Sequence, residues 1–188
     1  MRFQLACLVS LFATSPALGQ NAEIPRPDTL GANFDHTSVG KGTPTDYDFL
    51  LGKWEFRYQP RDQETGKYAP VVKGKWSGTR VHDGLFADEF INGTNGPLMT
   101  YRAFNATEGV WKVQGVNVRR GVWQPGLSWS DAGNRYLVQE NPERKTTIRV
   151  RYYSITPDHF LWRADGSRDG GKTWMKDVML IEATRIKE

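Results

Sequence analysis

Cysteine is almost absent from this sequence of 188 residues. The single cysteine, Cys7, lies within the first twenty residues, MRFQLACLVSLFATSPALGQ. This stretch has the three parts of a secretory signal peptide: Arg2 provides the positive start, residues 5–13 are apolar, and 17–19 form a small-x-small cleavage site. Removal of residues 1–19 would leave no thiol, which excludes disulfides, thiolate metal sites and a cysteine nucleophile from the mature chain. We therefore expect a secreted or periplasmic protein.

Long hydrophobic runs and a strong charge imbalance are also missing. The apolar part of the signal is shorter than the roughly 20 residues that cross a bilayer, and no later segment is apolar enough. Lys and Arg number 25 against 21 Asp and Glu, and the resulting net charge of +4 is spread along the chain. A nucleic-acid-binding surface would concentrate positive charge on one face. We expect no membrane span and no nucleic-acid partner.

A helical period of apolar residues is missing as well. Residues 20–45 are rich in Pro, Gly, Thr and Asn and indicate a flexible lead-in. Residues 47–51 form a compact apolar turn, and the segments after it alternate apolar and polar residues as half-buried strands do. The predicted strands cover 54–59, 71–81, 85–91, 98–104, 110–119, 135–140, 146–155, 159–164 and 173–186, with 121–130 as a tenth candidate.

Short turns between these segments require neighbouring strands to run antiparallel. An open sheet of about nine to ten strands would expose long edges, and closure removes them. The sequence therefore predicts an all-β protein, with an antiparallel up-and-down barrel over residues 46–188. A sandwich of two sheets is the alternative.

The segment SRDGGKTW, residues 167–174, fits the Asp-box pattern found in sialidases and related β-propellers. Asp169 can accept hydrogen bonds from nearby N–H groups, Gly170 and Gly171 allow positive φ, and Trp174 begins the returning strand. Propellers need several copies at a period of roughly 40–50 residues, whereas this chain has one good copy. The motif therefore predicts a structural hairpin and not a sugar-cleaving site.

A second pattern links the first and the last strand of the predicted barrel. Gly52 and Trp54 lie on the first strand after the apolar turn, and Arg185 lies at the end of the last strand. This resembles the lipocalin and wider calycin pattern, in which an arginine packs across the indole and closes the barrel base. Together with the Asp-box hairpin, the pattern is similar to bacterial secreted proteins of unknown function that contain a lipocalin-like domain. The resemblance covers about residues 46–186.

The resemblance implies that the barrel binds a small apolar or amphipathic molecule, with an anionic ligand as one case. Fatty-acid-binding relatives hold a carboxylate with an Arg-x-Tyr pair, which Arg151 and Tyr153 match. Strand alternation gives the alternative that the face with these two residues points to water. Trp123 and Trp129 flank Pro125 in a predicted loop and are candidates for a binding platform, with ordinary loop packing as the alternative.

Two further functions stay open at this point. An enzyme could use His82 with Asp88, although no recognisable catalytic, phosphate-binding or dinucleotide-binding motif occurs. Some barrels of similar size bind haem through a histidine, and His159 is the candidate for that role. We predict a small-molecule ligand without a cofactor or metal, with catalysis or haem binding as alternatives.

Overall fold

The computed structural model describes residues 23–25, 39–62, 64–92, 96–141 and 143–187. The predicted signal peptide and most of the predicted lead-in lie outside these residues. A short 3₁₀ turn at Asp48–Leu50 precedes the strands. The strands are β1 Gly52–Pro60, β2 Val72–His82, β3 Leu85–Ile91, β4 Leu98–Asn105, β5 Val110–Asn117, β6 Val122–Asp131, β7 Asn134–Asn141, β8 Thr146–Tyr153, β9 His159–Ser167 and β10 Met175–Arg185. No helix within the described ranges combines the length and the apolar character that crossing a membrane requires.

All ten strands belong to one closed antiparallel barrel. Each strand pairs with its neighbours in sequence, and β1 pairs with β10 through a register that places Trp54 opposite Arg185. The predicted all-β, up-and-down barrel is confirmed, and the sandwich alternative is wrong because the first and last strands close the sheet. Closure leaves none of the ten described strands with a long unpaired edge.

The region predicted as a loop around Pro125 is part of β6. Pro125 pairs with Gln114 of β5, but the pairing of β6 with β7 begins only at Gly126. At Pro125 the strand is therefore an edge on one side, where a missing N–H group is tolerated. Proline was a misleading loop signal here, and Trp123 and Trp129 are strand residues.

One end of the barrel, which we call the base, is closed by the 3₁₀ turn and by Arg185. The guanidinium carbon of Arg185 lies 4.2 Å from the ring centroid of Trp54. The same group donates hydrogen bonds to the carbonyl oxygens of Phe49, at 2.8 Å, and Pro157, at 2.6 Å. Gly52 begins β1 with φ of 93°, a left-handed conformation that other residues rarely adopt. The contact expected between the first strand and the last strand is thus formed.

Large side chains fill the half of the barrel next to the base. Tyr47, Leu50, Trp54, Trp111 and Phe160 are at most 1% exposed. Their rings meet mainly edge to face: Tyr47 and Trp111 have centroids 5.3 Å apart, and Trp54 and Phe160 have centroids 4.9 Å apart. Edge-to-face contacts of this kind stabilise aromatic cores. The base half is therefore a packed core, and open space inside the barrel lies in the other half.

The Asp-box hairpin connects β9 to β10 at the opposite end, which we call the mouth. Asp169 Oδ1 accepts hydrogen bonds from the N–H groups of Lys172, at 3.0 Å, and Thr173, at 2.9 Å. The Thr173 hydroxyl donates to Asp169 Oδ2 at 2.6 Å, and these bonds hold the pKa of the Asp169 carboxyl well below its usual range. Gly170 and Gly171 have positive φ. All of these contacts serve to hold the turn.

Candidate functional site

The half of the barrel toward the mouth contains a cavity of about 140 Å³. Its walls come from inward-facing side chains of β1–β4 and β6–β10, and most are aromatic or aliphatic. The side chains that line it are Tyr58, Trp76, Asp88, Phe90, Asn92, Leu98, Thr100, Arg102, Gln124, Leu137, Gln139, Ile148, Val150, Tyr152, Trp162, Met179 and Ile181. An engineered cavity of roughly 150 Å³ in an apolar core admits benzene, so this space can hold a group of similar size.

A buried polar layer separates this cavity from the packed base. Arg102 and Asp88 form an ion pair through Arg102 Nη1 and Asp88 Oδ1, and their exposed fractions are 1% and 2%. Trp76 Nε1 donates to Asp88 Oδ2 at 2.9 Å, and Arg102 Nη2 donates to the Tyr152 hydroxyl at 3.2 Å. Four strands, β2, β3, β4 and β8, each contribute one member. The layer forms the floor of the cavity, and this floor carries hydrogen-bonding groups but no net charge.

Aromatic rings pack against the Arg102 guanidinium. Its guanidinium carbon lies 4.5 Å from the ring centroid of Tyr47 and 5.8 Å from that of Phe86, so aromatic faces add to the attraction of Asp88. Burial raises the pKa of Tyr152 to about 12, although Arg102 opposes this. The Tyr152 hydroxyl therefore keeps its proton at neutral pH. It can donate a hydrogen bond to a ligand while it accepts one from Arg102.

Gln139 adds a second polar group to the wall of the cavity. Its side chain is 8% exposed and donates to the carbonyl oxygen of Gln124 at 3.2 Å. Close packing holds it in place, because a Cβ added at Gly115 would lie 2.3 Å from Gln139 Nε2. The side-chain oxygen of Gln139 is an acceptor that complements the Tyr152 donor.

Arg151 and Tyr153 lie on the outer face of β8 and do not line the cavity. The alternation along this strand turns Tyr152, the residue between them, into the interior. Arg151 and Tyr153 are nevertheless only 8% and 3% exposed, and the Tyr153 hydroxyl donates to the carbonyl oxygen of Pro25 at 3.4 Å. The expectation that this face points to water is wrong for these two side chains. Any role of theirs in binding a ligand stays a prediction and would concern the outside of the barrel.

Trp123 and Trp129 do not form a common platform. They are six residues apart along β6, which corresponds to about 20 Å at about 3.3 Å per residue. Trp123 is 57% exposed, whereas Trp129 is 3% exposed and stacks on Tyr136 with centroids 5.8 Å apart. Neither residue lines the cavity.

The structure separates His82 from Asp88. His82 is exposed at the turn between β2 and β3, whereas Asp88 is buried inside the barrel with Arg102 and Trp76. The two side chains therefore do not form a shared acid–base site. The strand register explains why, since Asp88 pairs with Gly78 in the middle of β2 and His82 lies at its end.

His159 lies on the outside of the barrel next to β10. Its Nε2 atom is 3.3 Å from Glu182 Oε1, and its side chain is 35% exposed. A haem inside the cavity would be out of its reach, so the predicted axial role has no support from this geometry. Within the described residues, no group of three or more His, Cys, Asp or Glu side chains could hold a metal ion.

Sequence reasoning did not find Arg102, Tyr152 or Gln139 as interior polar residues. A signal for Arg102 was present, because it shares the apolar face of β4 with Leu98 and Phe104. An arginine at an alternating apolar position is a candidate buried cation. The acidic partner could not be inferred, since it depends on the register of β3 and β4.

Comparison with known proteins identifies a fold and no family. No family model matches the chain, and no curated protein matches it. Among solved structures, it is similar to the crystal structure of Rv2717c from M. tuberculosis, with a TM-score of 0.54 and 11% sequence identity. The match covers 78% of this chain and 100% of the other. At this identity the likeness concerns the barrel fold alone.

Proposed function

We propose that this chain is a secreted or periplasmic, lipocalin-like barrel that binds a small apolar or amphipathic molecule in the interior cavity. The observation that carries the proposal is the cavity itself, which has apolar walls and a polar floor formed by Tyr152 and the Asp88–Arg102 pair. Binding pockets for small molecules usually combine a mostly apolar lining with a few oriented polar groups. The packed base closes the other end of the barrel.

The walls select for apolar groups. Phe90, Leu137, Val150 and Ile181 face the cavity, and a ligand that covers them would remove apolar surface from water. Each methylene group transferred from water into such a space contributes about 0.8 kcal/mol. A chain of about six methylene groups would gain about 5 kcal/mol, which corresponds to a dissociation constant of roughly 0.1–1 mM before polar contacts are added.

Octanol is a suitable neutral test ligand, because its chain is slightly longer than six methylene groups and its hydroxyl group can bond to polar atoms. Trp76 and Trp162 line the cavity, so tryptophan fluorescence should change when octanol enters. We expect saturable binding to the purified protein, with a dissociation constant of about 1 mM or lower. Isothermal titration calorimetry should give the same constant.

Matched substitutions on the two faces of the barrel test the location. Thr100 lines the cavity, whereas Thr79 is exposed on the outside of β2. Thr100→Phe should fill the cavity and weaken octanol binding about tenfold or more, and Thr79→Phe should leave binding unchanged. Circular dichroism would check that both variants are folded. Equal octanol binding by the wild type and a folded Thr100→Phe variant would contradict the interior site.

Export is the second part of the proposal and rests on the signal pattern in residues 1–19. Expression of the full sequence in a bacterium should yield a mature protein that begins at Gln20. Intact mass spectrometry of the periplasmic and secreted fractions would show it. A protein that retains Met1 in the cytoplasm would contradict export.

A further inference from the structure

The cavity lies beside a second, open space of about 770 Å³ at the mouth. Among the described residues that line this space there are three arginines and no carboxylate. The lining residues are Tyr58, Pro60, Arg61, Arg144, Thr146, Thr147, Ile148, Gly166, Ser167, Arg168, Thr173, Met175, Val178 and Met179. We call Arg61, Arg144 and Arg168 the mouth arginines. Positive charge of one sign around a concave space attracts anions.

Three side chains line both the mouth space and the interior cavity: Tyr58, Ile148 and Met179. They form the boundary through which a chain would pass from one space to the other. Ile148 and Met179 are apolar and half-buried, and methionine adapts its shape to different neighbours more easily than branched side chains do. A ligand with one polar end can therefore place its apolar chain past this boundary and keep its head in the mouth space.

Local hydrogen bonds fix the turns that carry the mouth arginines. Arg61 donates from Nε to the carbonyl oxygen of Gly66 at 2.8 Å and from Nη1 to that of Lys176 at 3.0 Å. Arg168 lies inside the Asp-box hairpin, between Ser167 and Asp169. The backbone N–H of Arg144 donates to the side chain of Asn141 at 3.0 Å. Fixed backbone positions reduce the entropy lost when an anion is bound.

An anionic group should bind less favourably in the interior cavity than at the mouth. Arg102 is already paired with Asp88, so a carboxylate at the floor would approach the Asp88 carboxylate and lose its hydration. At the mouth, a carboxylate would keep part of its hydration and meet arginine side chains that can bind its two oxygens.

We propose that the ligand is a single-chain anionic amphiphile, with its anionic head among the mouth arginines and its apolar chain in the cavity. This inference rests on the proposed function, because it needs the cavity to accept the chain. It also assigns a role to the Asp-box hairpin, which places Arg168 at the edge of the mouth.

The test compares octanoate with octanol, which differ in head group and not in apolar length. We expect the wild-type protein to bind octanoate more tightly than octanol. The double variant Arg144→Ala/Arg168→Ala should weaken octanoate binding about tenfold, since each exposed arginine–carboxylate contact accounts for roughly a factor of three. Octanol binding should stay within about twofold of the wild type. Added salt should weaken octanoate binding and leave octanol binding unaffected.

Arg120→Ala provides the matched control. Arg120 is exposed in the turn between β5 and β6, at the same end of the barrel, but does not line the mouth space. This variant should bind both molecules like the wild type. The charge reversal Arg144→Glu, tested alone, should weaken octanoate binding more than Arg144→Ala does.

Each outcome gives a separate answer. If octanol binds but the double variant binds octanoate as well as the wild type does, the head-group site is refuted and the cavity stands. If the substitutions weaken octanol and octanoate equally, the arginines do not recognise the charge. If neither molecule binds the wild type, the proposed function fails and this inference fails with it.

Discussion

Replacing Asp88 by asparagine should leave Arg102 charged in the barrel interior without a counter-ion. The two side chains are 2% and 1% exposed, so the unpaired charge would stay buried inside the barrel. Breaking a buried ion pair at one end costs about 3–5 kcal/mol. Arg102 would keep its contacts with the Tyr152 hydroxyl, at 3.2 Å, and with the Tyr47 ring, at 4.5 Å. Because both contacts partly stabilise the charge, the cost should lie near the lower end of this range. We therefore expect Asp88→Asn to lower the free energy of unfolding by about 3 kcal/mol.

Urea denaturation followed by circular dichroism measures this loss. For a chain of this size, 3 kcal/mol corresponds to a fall in Tm of about 6–12 °C. The exposed pair between Glu108 and Lys112 is the control, because its side chains are 50% and 48% exposed. Glu108→Gln should change the free energy of unfolding by less than about 0.5 kcal/mol.

The double variant Asp88→Asn/Arg102→Met separates the ion pair from other effects. Its destabilisation should be smaller than the sum of the two single losses by about 2 kcal/mol, because the second substitution removes the uncompensated charge. A loss below about 1 kcal/mol for Asp88→Asn, or single losses that simply add, would refute the reasoning about a buried polar layer.

Three further perturbations have expected outcomes. Arg185→Lys should lower the free energy of unfolding in urea by about 1–2 kcal/mol, because lysine keeps the charge over Trp54 but loses the planar group that bonds three carbonyl oxygens, those of Phe49, Leu51 and Pro157. No change would contradict the proposed closure of the base. The hydrogen bond with His159 is the main cause that lowers the pKa of the Glu182 carboxyl from 4.5. The ionised carboxylate therefore stabilises the fold fully above pH 4.5, and this stabilisation is lost as pH falls through the lowered pKa. Glu182→Gln should accordingly reduce stability at about pH 7 more than at about pH 3, whereas an equal effect at both values would show that its charge is unimportant. Asp169→Ala should make the β9–β10 hairpin a site of rapid proteolytic cleavage, and unchanged cleavage would show that other contacts fix the turn.

The sequence was sufficient to predict the barrel because strands have a period of two. The alternation of Trp54, Phe56 and Tyr58 placed them on the inner face, and the pairing of β1 with β10 puts Ile181 and Ala183 opposite Tyr58 and Phe56. Local turn chemistry defined most strand ends to within a few residues. These features depend on neighbouring residues, which a single sequence contains.

The candidate site could not be predicted in the same way. The cavity exists because side chains from nine strands leave a gap between them, and its volume depends on the rotamers of residues far apart in sequence. Arg102 is not among the candidate site residues that the sequence indicates, because arginines are mostly exposed. The burial of Arg151 and Tyr153 on the outer face also depends on distant contacts, such as that between Tyr153 and Pro25.

A crystal structure with 8-bromooctanoate tests the central claim most directly, because the anomalous signal of bromine locates the end of the chain. We predict a single bromine peak inside the barrel, beside Leu137 and Val150, with the carboxylate density near Arg144 and Arg168. A bromine peak on the outer face, near Arg151 or Trp129, would contradict the interior site. A saturated crystal with no peak in the cavity would contradict it equally.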